Sequence, residues 1–135
     1  LKNETNHDST RLWKMCSWIA RDTAHPVKRL EEMVAFLDGR RIPLSEAERE
    51  GRKGPYPYYG ASGIIDFVDD YLFDEELLLL SEDGANLINR STPIAFAATG
   101  RYWVNNHAHV LKPHPAVADL HFLRYALSDY DVSVF

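Results

Sequence analysis

Hydrophobic residues occur along this chain in short runs that are typical of strands, followed by one helical stripe. Leu77–Leu80 is apolar at every position, which is the pattern of a central strand covered on both faces. Near the end of the chain, Val117–Leu127 places Leu120, Leu123 and Leu127 on one side of a helix. The pattern therefore predicts a buried sheet and a helix that packs against the core.

Glycines, prolines and short polar stretches divide the rest of the chain into further elements. Pro57–Asp70 is rich in strand-forming residues but is interrupted by glycines, which predicts a tight loop around residues 61–62. Ser45–Lys53 predicts an exposed helical turn capped by Ser45, with Glu48 at the capping-box position. The other predicted elements are one or two helical turns over Val27–Val34, strands over Ala35–Leu37, Ile94–Ala98 and Tyr102–Leu111, and turns at Asp38-Gly39, Asp74–Glu76 and Asp83-Gly84.

The length of 135 residues suits one domain with its own core. Several strands with a few short helices predict an α+β fold, a compact single domain with a twisted mixed or antiparallel sheet. No apolar run approaches the length that crosses a bilayer, and the polar start of the chain lacks the apolar segment of a secretory leader. The single cysteine, Cys16, excludes a disulfide within the chain. We therefore expect a cytoplasmic protein with no membrane partner.

The net charge of −5 argues against a nucleic-acid binder, but the charges are unevenly placed. Residues 1–53 hold 11 lysines and arginines against 9 acids, and residues 54–135 hold 4 against 11. Asp66–Asp83 contains eight acids and no base, so we expect a solvated edge that faces away from any phosphate. The bases that precede it predict either a phosphate-facing rim or a solvated loop in which nearby glutamates offset them. These bases are Arg40, Arg41, Arg49, Arg52 and Lys53.

Two stretches carry a resemblance to a known family. Tyr56–Asp66 is YPYYGASGIID, and Arg101–Leu111 is RYWVNNHAHVL. With the lead-in of Val27–Leu44 and the SEDGAN stretch of Ser81–Asn86, they resemble the target recognition domain of type I restriction-modification specificity subunits. The match in order and spacing runs over Val27–Tyr130, which is most of the chain.

The resemblance implies DNA recognition without catalysis and without a cofactor. A complete specificity subunit of this family pairs two recognition domains, each of which binds one half of a bipartite target in double-stranded DNA. Its helices dock the modification (methyltransferase) and restriction subunits. On this basis residues 27–135 are one recognition domain, which we expect to be truncated near its C-terminal end, and residues 1–26 are an N-terminal extension of unknown role.

The predicted strand Arg101–Leu111 supplies candidate base contacts. An amide side chain such as Asn105 pairs naturally with an adenine edge, and Arg101 suits guanine. In the alternative interpretation, Asn105, Asn106 and His107 brace neighbouring backbone. Bracing is the preferred interpretation for Asn106 and His107, and both interpretations stay open for Asn105.

Other candidates lie in loops. Tyr59 and Ser62 offer hydroxyl groups beside glycines and could hold a phosphate, the alternative being core packing and turn capping. Asn86 and Arg90, in the irregular stretch Gly84–Pro93, are candidates for adenine and guanine edges, or for a solvated loop shaped by turn-forming residues. The full set predicted to contact DNA is Arg40, Arg41, Arg52, Lys53, Tyr59, Ser62, Asn86, Arg90, Arg101, Asn105 and His107.

Two alternative functions remain. His107 and His109 fall on one face of the predicted strand, about 6–7 Å apart, and could chelate a metal in a small metal-dependent enzyme. The spacing identifies no third ligand, and no phosphate loop or nucleophile elbow is present. The other alternative is a truncated recognition cassette without any DNA preference.

Overall fold

The computed structural model describes residues 29–82 and 93–129. Within these ranges the chain forms eight strands and three short α-helices. The helices are α1 (Leu30–Met33), α2 (Glu46–Glu50) and α3 (Leu120–Asp129), and a 3-10 turn spans Asp38–Arg40. The strands are β1 (Val34–Phe36), β2 (Lys53–Gly60), β3 (Gly63–Val68), β4 (Phe73–Asp74), β5 (Leu77–Ser81), β6 (Ala95–Ala98), β7 (Arg101–Val104) and β8 (Ala108–Pro113).

The strands form two four-stranded sheets. Sheet 1 has the order β1-β8-β5-β6, and all of its neighbours are antiparallel. Sheet 2 has the order β3-β2-β7-β4 and is mixed, because β2 and β7 run parallel while the other pairs are antiparallel. The predicted α+β class with a mixed or antiparallel sheet is therefore confirmed, with two sheets in place of one.

Strand β5 lies between two hydrophobic clusters, which explains its unbroken run of leucines. Leu78 and Leu80 belong to the cluster that includes α3, together with Leu123 and Leu127. The alternate side chains, Leu77 and Leu79, belong to the cluster that sheet 2 completes. Because successive strand residues point to opposite faces, all four leucines are buried. The prediction of a central strand is confirmed.

Part of the outer face of sheet 2, over Tyr58 and Trp103, is covered by the segment between the 3-10 turn and β2. Tyr58 and Trp103 form a third buried cluster there, and Leu44 packs against it. The indole Nε1 of Trp103 donates to the carbonyl of Ile42 at 2.6 Å. The hydroxyl of Tyr58 accepts from the backbone N–H of Leu44 at 3.0 Å. These two hydrogen bonds satisfy the polar atoms of the buried rings and hold the segment on the sheet.

Several local predictions are confirmed. Ser45 caps α2, and its side chain and that of Glu48 form the reciprocal capping box. The tight loop at residues 61–62 joins β2 to β3. Helix α3 buries Leu123 and Leu127 as the stripe predicted, although it begins later than Val117.

One predicted strand is wrong. Tyr102–Leu111 is two strands, β7 and β8, separated by a turn at residues 105–107. The side-chain oxygen of Asn105 accepts from the backbone N–H of His107 at 2.7 Å, which replaces ladder pairing with a local turn. The chain crosses from sheet 2 to sheet 1 at this turn.

Some predictions lie outside the described residues. They are the extension at residues 1–26 and the turn at Asp83-Gly84. Among the helices in the described ranges, none has the length and apolar character needed to cross a bilayer.

Candidate nucleic-acid interface

The outer face of sheet 2 carries basic and aromatic side chains. Arg101 and Trp103 are two residues apart in β7 and therefore share a face. Trp103 lies beside Tyr58 of β2 in the parallel pairing. Tyr56, two residues earlier in β2, extends the strip alongside Arg101. The alternation of two neighbouring strands thus creates one continuous row of rings with an arginine at its end.

Three arginines lie over aromatic rings on this face. The guanidinium carbon of Arg52 is 4.9 Å from the centre of the Trp103 ring, and that of Arg49 is 5.1 Å from the Tyr58 ring. A third, Arg101, lies 5.1 Å from a tyrosine ring. Attraction between a guanidinium and a ring face orients these cations. We call this region the arginine–aromatic surface, made of Arg49, Arg52, Lys53, Tyr58, Tyr71, Arg101 and Trp103.

Asp66 bridges two of the cations. Its carboxylate accepts from Nζ of Lys53 at 2.8 Å and from Nε of Arg49 at 3.0 Å. The hydrogen bonds from Lys53 and from the backbone N–H of Phe67 lower the pKa of Asp66 to about 2. The same carboxylate raises the pKa of Lys53. Asp66 is therefore ionised at neutral pH and holds both cations against the sheet.

The other two arginines of the surface also have carboxylate partners. Nε of Arg52 donates to Asp69 at 3.0 Å, and Nε of Arg101 donates to Asp74 at 3.2 Å. Asp69 and Asp74 are exposed, as expected of a solvated edge, but they lie beside the bases and pair with them. The antiparallel hairpin of β2 and β3 brings the acidic stretch back beside the basic one, which sequence distance conceals.

Gly54 allows this close approach. A Cβ atom at Gly54 would lie 2.4 Å from the Cα of Asp69, a distance that real Cβ atoms do not reach. The backbone N–H of Asp69 also donates to the carbonyl of Arg52 at 2.8 Å. The pairing of Arg52 with Asp69 is therefore built on a direct backbone contact that only glycine permits.

A second group of candidates lies where two turns meet. Ser62 is exposed in the turn between β2 and β3, and His107 is exposed in the turn between β7 and β8. The backbone N–H of Asn105 donates to the carbonyl of Tyr59 at 3.1 Å, and that of Glu82 donates to the carbonyl of His107 at 3.1 Å. We call this region the loop end, formed by residues 61–62, 81–82 and 105–107. From Glu82, in the loop end, the chain continues into residue 83.

Within the loop end, the side chain of Asn105 has a structural partner. Asn105 is 5% exposed, and its oxygen fixes the turn through the backbone of His107. This geometry favours bracing for Asn105, the interpretation that the sequence left open. The exposed residues of the loop end are Ser62, Asn106 and His107, of which Ser62 and His107 are predicted DNA contacts.

Tyr59 is partly buried and packs against the core cluster of sheet 2. Its ring stacks on Phe96 with centres 5.8 Å apart and meets the Tyr102 ring edge-on at 5.5 Å. Burial raises the pKa of Tyr59. These contacts favour core packing over the predicted phosphate contact.

Arg40 and Arg41 are adjacent in sequence but differ in surroundings. Arg40 is exposed, donates to the carbonyl of Leu72 at 3.0 Å and lies 4.6 Å from the Phe73 ring centre. It has no carboxylate partner among residues 29–82 and 93–129. Arg41 donates to Glu82 at 2.8 Å and to the carbonyl of Ala108 at 2.9 Å. The geometry favours a structural role for Arg41 over the predicted phosphate contact.

Arg41 belongs to a partly buried network that ties the 3-10 turn to β8. One Asp38 oxygen pairs with Nδ1 of His109 at 2.7 Å, and the other accepts from the backbone N–H of Val110 at 2.8 Å. Burial alone would raise the pKa of Asp38, but the hydrogen bonds from His109 and Val110 bring this pKa below its ordinary value. We call this network the Asp38 cluster, made of Asp38, Arg41, Glu82 and His109.

The proposed metal pair is not on one strand face. His109 is buried in β8 and bound to Asp38, whereas His107 is exposed in the preceding turn. In the part of the chain that the structure describes, no group of three or more His, Cys, Asp or Glu side chains could hold a metal ion. Nothing in this geometry supports the metal-dependent enzyme.

The partners of the predicted bases were not identified from the sequence. Asp69, Asp74 and the rings of Trp103 and Tyr71 were not among the candidates. Strand alternation could have identified Trp103, because it shares a face with Arg101. The two remaining predicted contacts, Asn86 and Arg90, lie outside the described residues.

The chain matches a known protein family over most of its length. Residues 25–132 match the model of the type I restriction modification DNA specificity domain. The chain therefore belongs to this family, as the resemblance of its motifs implies. The expected family is confirmed.

A relative and two solved structures are similar to the chain. A Haemophilus influenzae protein described as a type I restriction enzyme specificity subunit is 39% identical over 85 residues. The match covers 62% of this chain and 21% of that protein, so the chain spans about a fifth of its relative's length. The HsdS subunit of Thermoanaerobacter tengcongensis has a TM-score of 0.46 at 15% identity, covering 96% of this chain and 38% of the other. A chain from a study of type I R-M system assembly has a TM-score of 0.47 at 14% identity, covering 99% and 38%.

Proposed function

We propose that this chain binds double-stranded DNA and recognises one half of a bipartite target as part of a type I specificity subunit. The observation that carries the proposal is the family match over residues 25–132. In this role the chain is non-catalytic, uses no cofactor and works in the cytoplasm beside modification and restriction subunits. Residues 27–135 act as the recognition domain.

The two regions of the site make different kinds of DNA contact in this proposal. Phosphate contacts come from the arginine–aromatic surface, whose cations Arg52, Lys53 and Arg101 lie on one face of sheet 2, and from the exposed Arg40. Such contacts position the protein without specifying sequence. Arg41, Tyr59 and Asn105 support the fold in this proposal. Their side chains are already engaged by contacts within the fold.

Base contacts come from the loop end and the segment that continues from it. Side chains that extend from turns held by a rigid sheet are well placed to enter a DNA groove. Ser62 and His107 are exposed there, and Asn86 and Arg90 follow four and eight residues after Glu82. An arginine that binds guanine edges in bidentate fashion contributes about 1–3 kcal/mol of discrimination.

The test is selection of bound sequences from a random duplex library at low salt, followed by sequencing. We expect enrichment of a short motif, which gives the half-site directly. Retention without enrichment, or no retention, would contradict sequence recognition by this chain.

A substitution refines the same experiment. Arg90→Ala should relax the preference at one base position of the selected motif. Arg124→Ala is the matched control, because it removes the same charge from the exposed face of α3. An unchanged motif with Arg90→Ala would remove Arg90 from the base-contacting set.

A further inference from the structure

We propose that Asp69 and Asp74 are intramolecular counterions that a DNA phosphate must displace, so that they limit how tightly the chain holds DNA of any sequence. The inference rests on the proposed DNA binding and concerns its regulation. Both acids then determine the affinity for DNA, although a carboxylate does not itself attract a phosphate.

The carboxylates occupy the position that a phosphate would take. Asp69 and Asp74 accept from the Nε atoms of Arg52 and Arg101, at 3.0 and 3.2 Å. The Nε edge of a guanidinium is one that carboxylate and phosphate oxygens both bind through charge-assisted hydrogen bonds. A phosphate and the protein's own carboxylate therefore compete for the same donors.

Exposure decides which of the pairs can exchange. The side chains of Arg52 and Asp69 are 35% and 49% exposed, and those of Arg101 and Asp74 are both 54% exposed. The pair of Arg49 and Asp66 is covered, at 17% and 16%. Exposed ion pairs contribute little to stability, so breaking them costs little. Exchange is accordingly expected at Asp69 and Asp74 but not at Asp66.

The aromatic rings keep the arginines in place when the carboxylates leave. The Trp103 ring lies under Arg52, and the Tyr71 ring lies under Arg101. Cation–π attraction does not use the Nε hydrogen bond and persists while that bond changes partner. The released guanidiniums are therefore already oriented for a phosphate.

This arrangement would favour specificity over affinity. Non-specific DNA binding comes almost entirely from phosphate neutralisation. Carboxylates that already neutralise the arginines reduce this electrostatic contribution to the affinity equally for every DNA sequence. Base contacts then account for a larger share of the difference between target and other DNA.

The chain offers a matched pair of acids for the test. Asp69 pairs with Arg52, whereas the neighbouring Asp70 has no cationic partner in the described residues and accepts only from the backbone of Tyr71. Asp69→Asn and Asp70→Asn remove the same charge at adjacent positions, but only the first releases an arginine. Binding of a labelled duplex of mixed sequence is measured for each variant over a salt series.

We expect Asp69→Asn to raise affinity at low salt roughly two- to fivefold more than Asp70→Asn does. Because Arg52 contacts phosphate in both variants, the slope of log affinity against log salt should change by less than the value of about 0.9 that a new phosphate contact adds. Asp74→Asn should behave like Asp69→Asn through Arg101, which keeps the test available if one variant fails to fold. Adding Arg52→Gln to Asp69→Asn should abolish the gain.

Equal affinities for the Asp69 and Asp70 variants would overturn the proposal, as would a gain that survives Arg52→Gln. Absence of binding by every variant at the lowest salt would overturn it as well. The outcome is independent of sequence recognition, because the duplex is of mixed sequence. A difference between the variants without any enriched motif supports the counterions and contradicts the proposed function.

Discussion

The arginine–aromatic surface and the Asp38 cluster both contain arginines paired with carboxylates, but these arginines have different roles. In the cluster, Arg41 is 15% exposed and donates to three carbonyls and a carboxylate. On the surface, Arg52 is 35% exposed and donates to one carboxylate, above a ring. Both are arginines in ion pairs, eleven positions apart in a basic stretch.

The number of partners supplied by the fold separates these roles. Removing Arg41 would take a donor away from partly buried carbonyls and from Glu82, so its guanidinium is committed to the fold. Arg52 can exchange its single carboxylate for another anion at small cost. A basic residue near a proposed interface is therefore a candidate contact only if its hydrogen bonds are few and exposed.

The largest effect we predict is loss of stability with Asp38→Ala. Asp38 accepts from His109 and from the backbone of Val110, and it lies 3.7 Å from Arg41. Removing Asp38 takes this acceptor away from His109 and Val110 and removes a nearby negative charge from Arg41. The free energy of unfolding should fall by about 3–5 kcal/mol in urea denaturation. Asp70→Ala, at an exposed position, is the control and should change it by less than about 0.5 kcal/mol.

Similar midpoints for Asp38→Ala and Asp70→Ala would abolish the contrast between the two regions. It would mean that the Asp38 cluster contributes no more than a surface acid does.

Arg41→Ala and Arg52→Ala compare the two regions directly. Arg41→Ala should lower the free energy of unfolding by about 2–3 kcal/mol, because its hydrogen bonds are partly buried. Arg52→Ala should lower it by less than about 1 kcal/mol. For DNA affinity the order of the two variants reverses: Arg52→Ala should weaken binding more than Arg41→Ala, because only Arg52 contacts phosphate in the proposed role. Loss of Arg52 should also flatten the salt dependence of binding.

The measurements are urea denaturation and duplex binding over a salt series on both variants. A folded Arg41→Ala protein that binds DNA more weakly than Arg52→Ala would return Arg41 to the phosphate-contacting set.

Much of the fold was predictable because its signals are local. The leucine run of β5, the Ser45 capping box and the leucine stripe of α3 each lie within one element. The division of Tyr102–Leu111 into two strands was not predicted, because apolar alternation continues through the turn. Only the side-chain bond of Asn105 to the backbone of His107 reveals the break.

The site was less predictable because its pairs are distant in sequence. Basic residues and the aromatic strand were identified, but the partners of Arg52 depend on strand register. β2 and β3 contain a register shift between Lys53 and Tyr56, and β2 pairs with β7 in parallel. Neither feature follows from local patterns, so the contacts of Arg52 with Asp69 and Trp103 were hidden.

The smallest effect concerns pH and separates Asp66 from the exposed acids. The pKa of Asp66 is about 2 in the folded chain, below the ordinary 3.8 of an unfolded aspartate. A lowered folded pKa gives stability that is complete above the unfolded pKa and is lost as pH falls through the folded one. The stability difference between the natural chain and Asp66→Asn should therefore be constant above pH 5 and shrink between about pH 4 and 2.

Urea denaturation at several pH values measures this difference, with Asp70→Asn as the control that should show no such trend. A gap that stays constant down to pH 2 would mean that Asp66 acts through shape and not through charge. In that case the charge of Asp66 is not what holds Lys53 and Arg49 in place. The distinction between Asp66, which stays paired, and the displaceable Asp69 and Asp74 then loses its electrostatic basis.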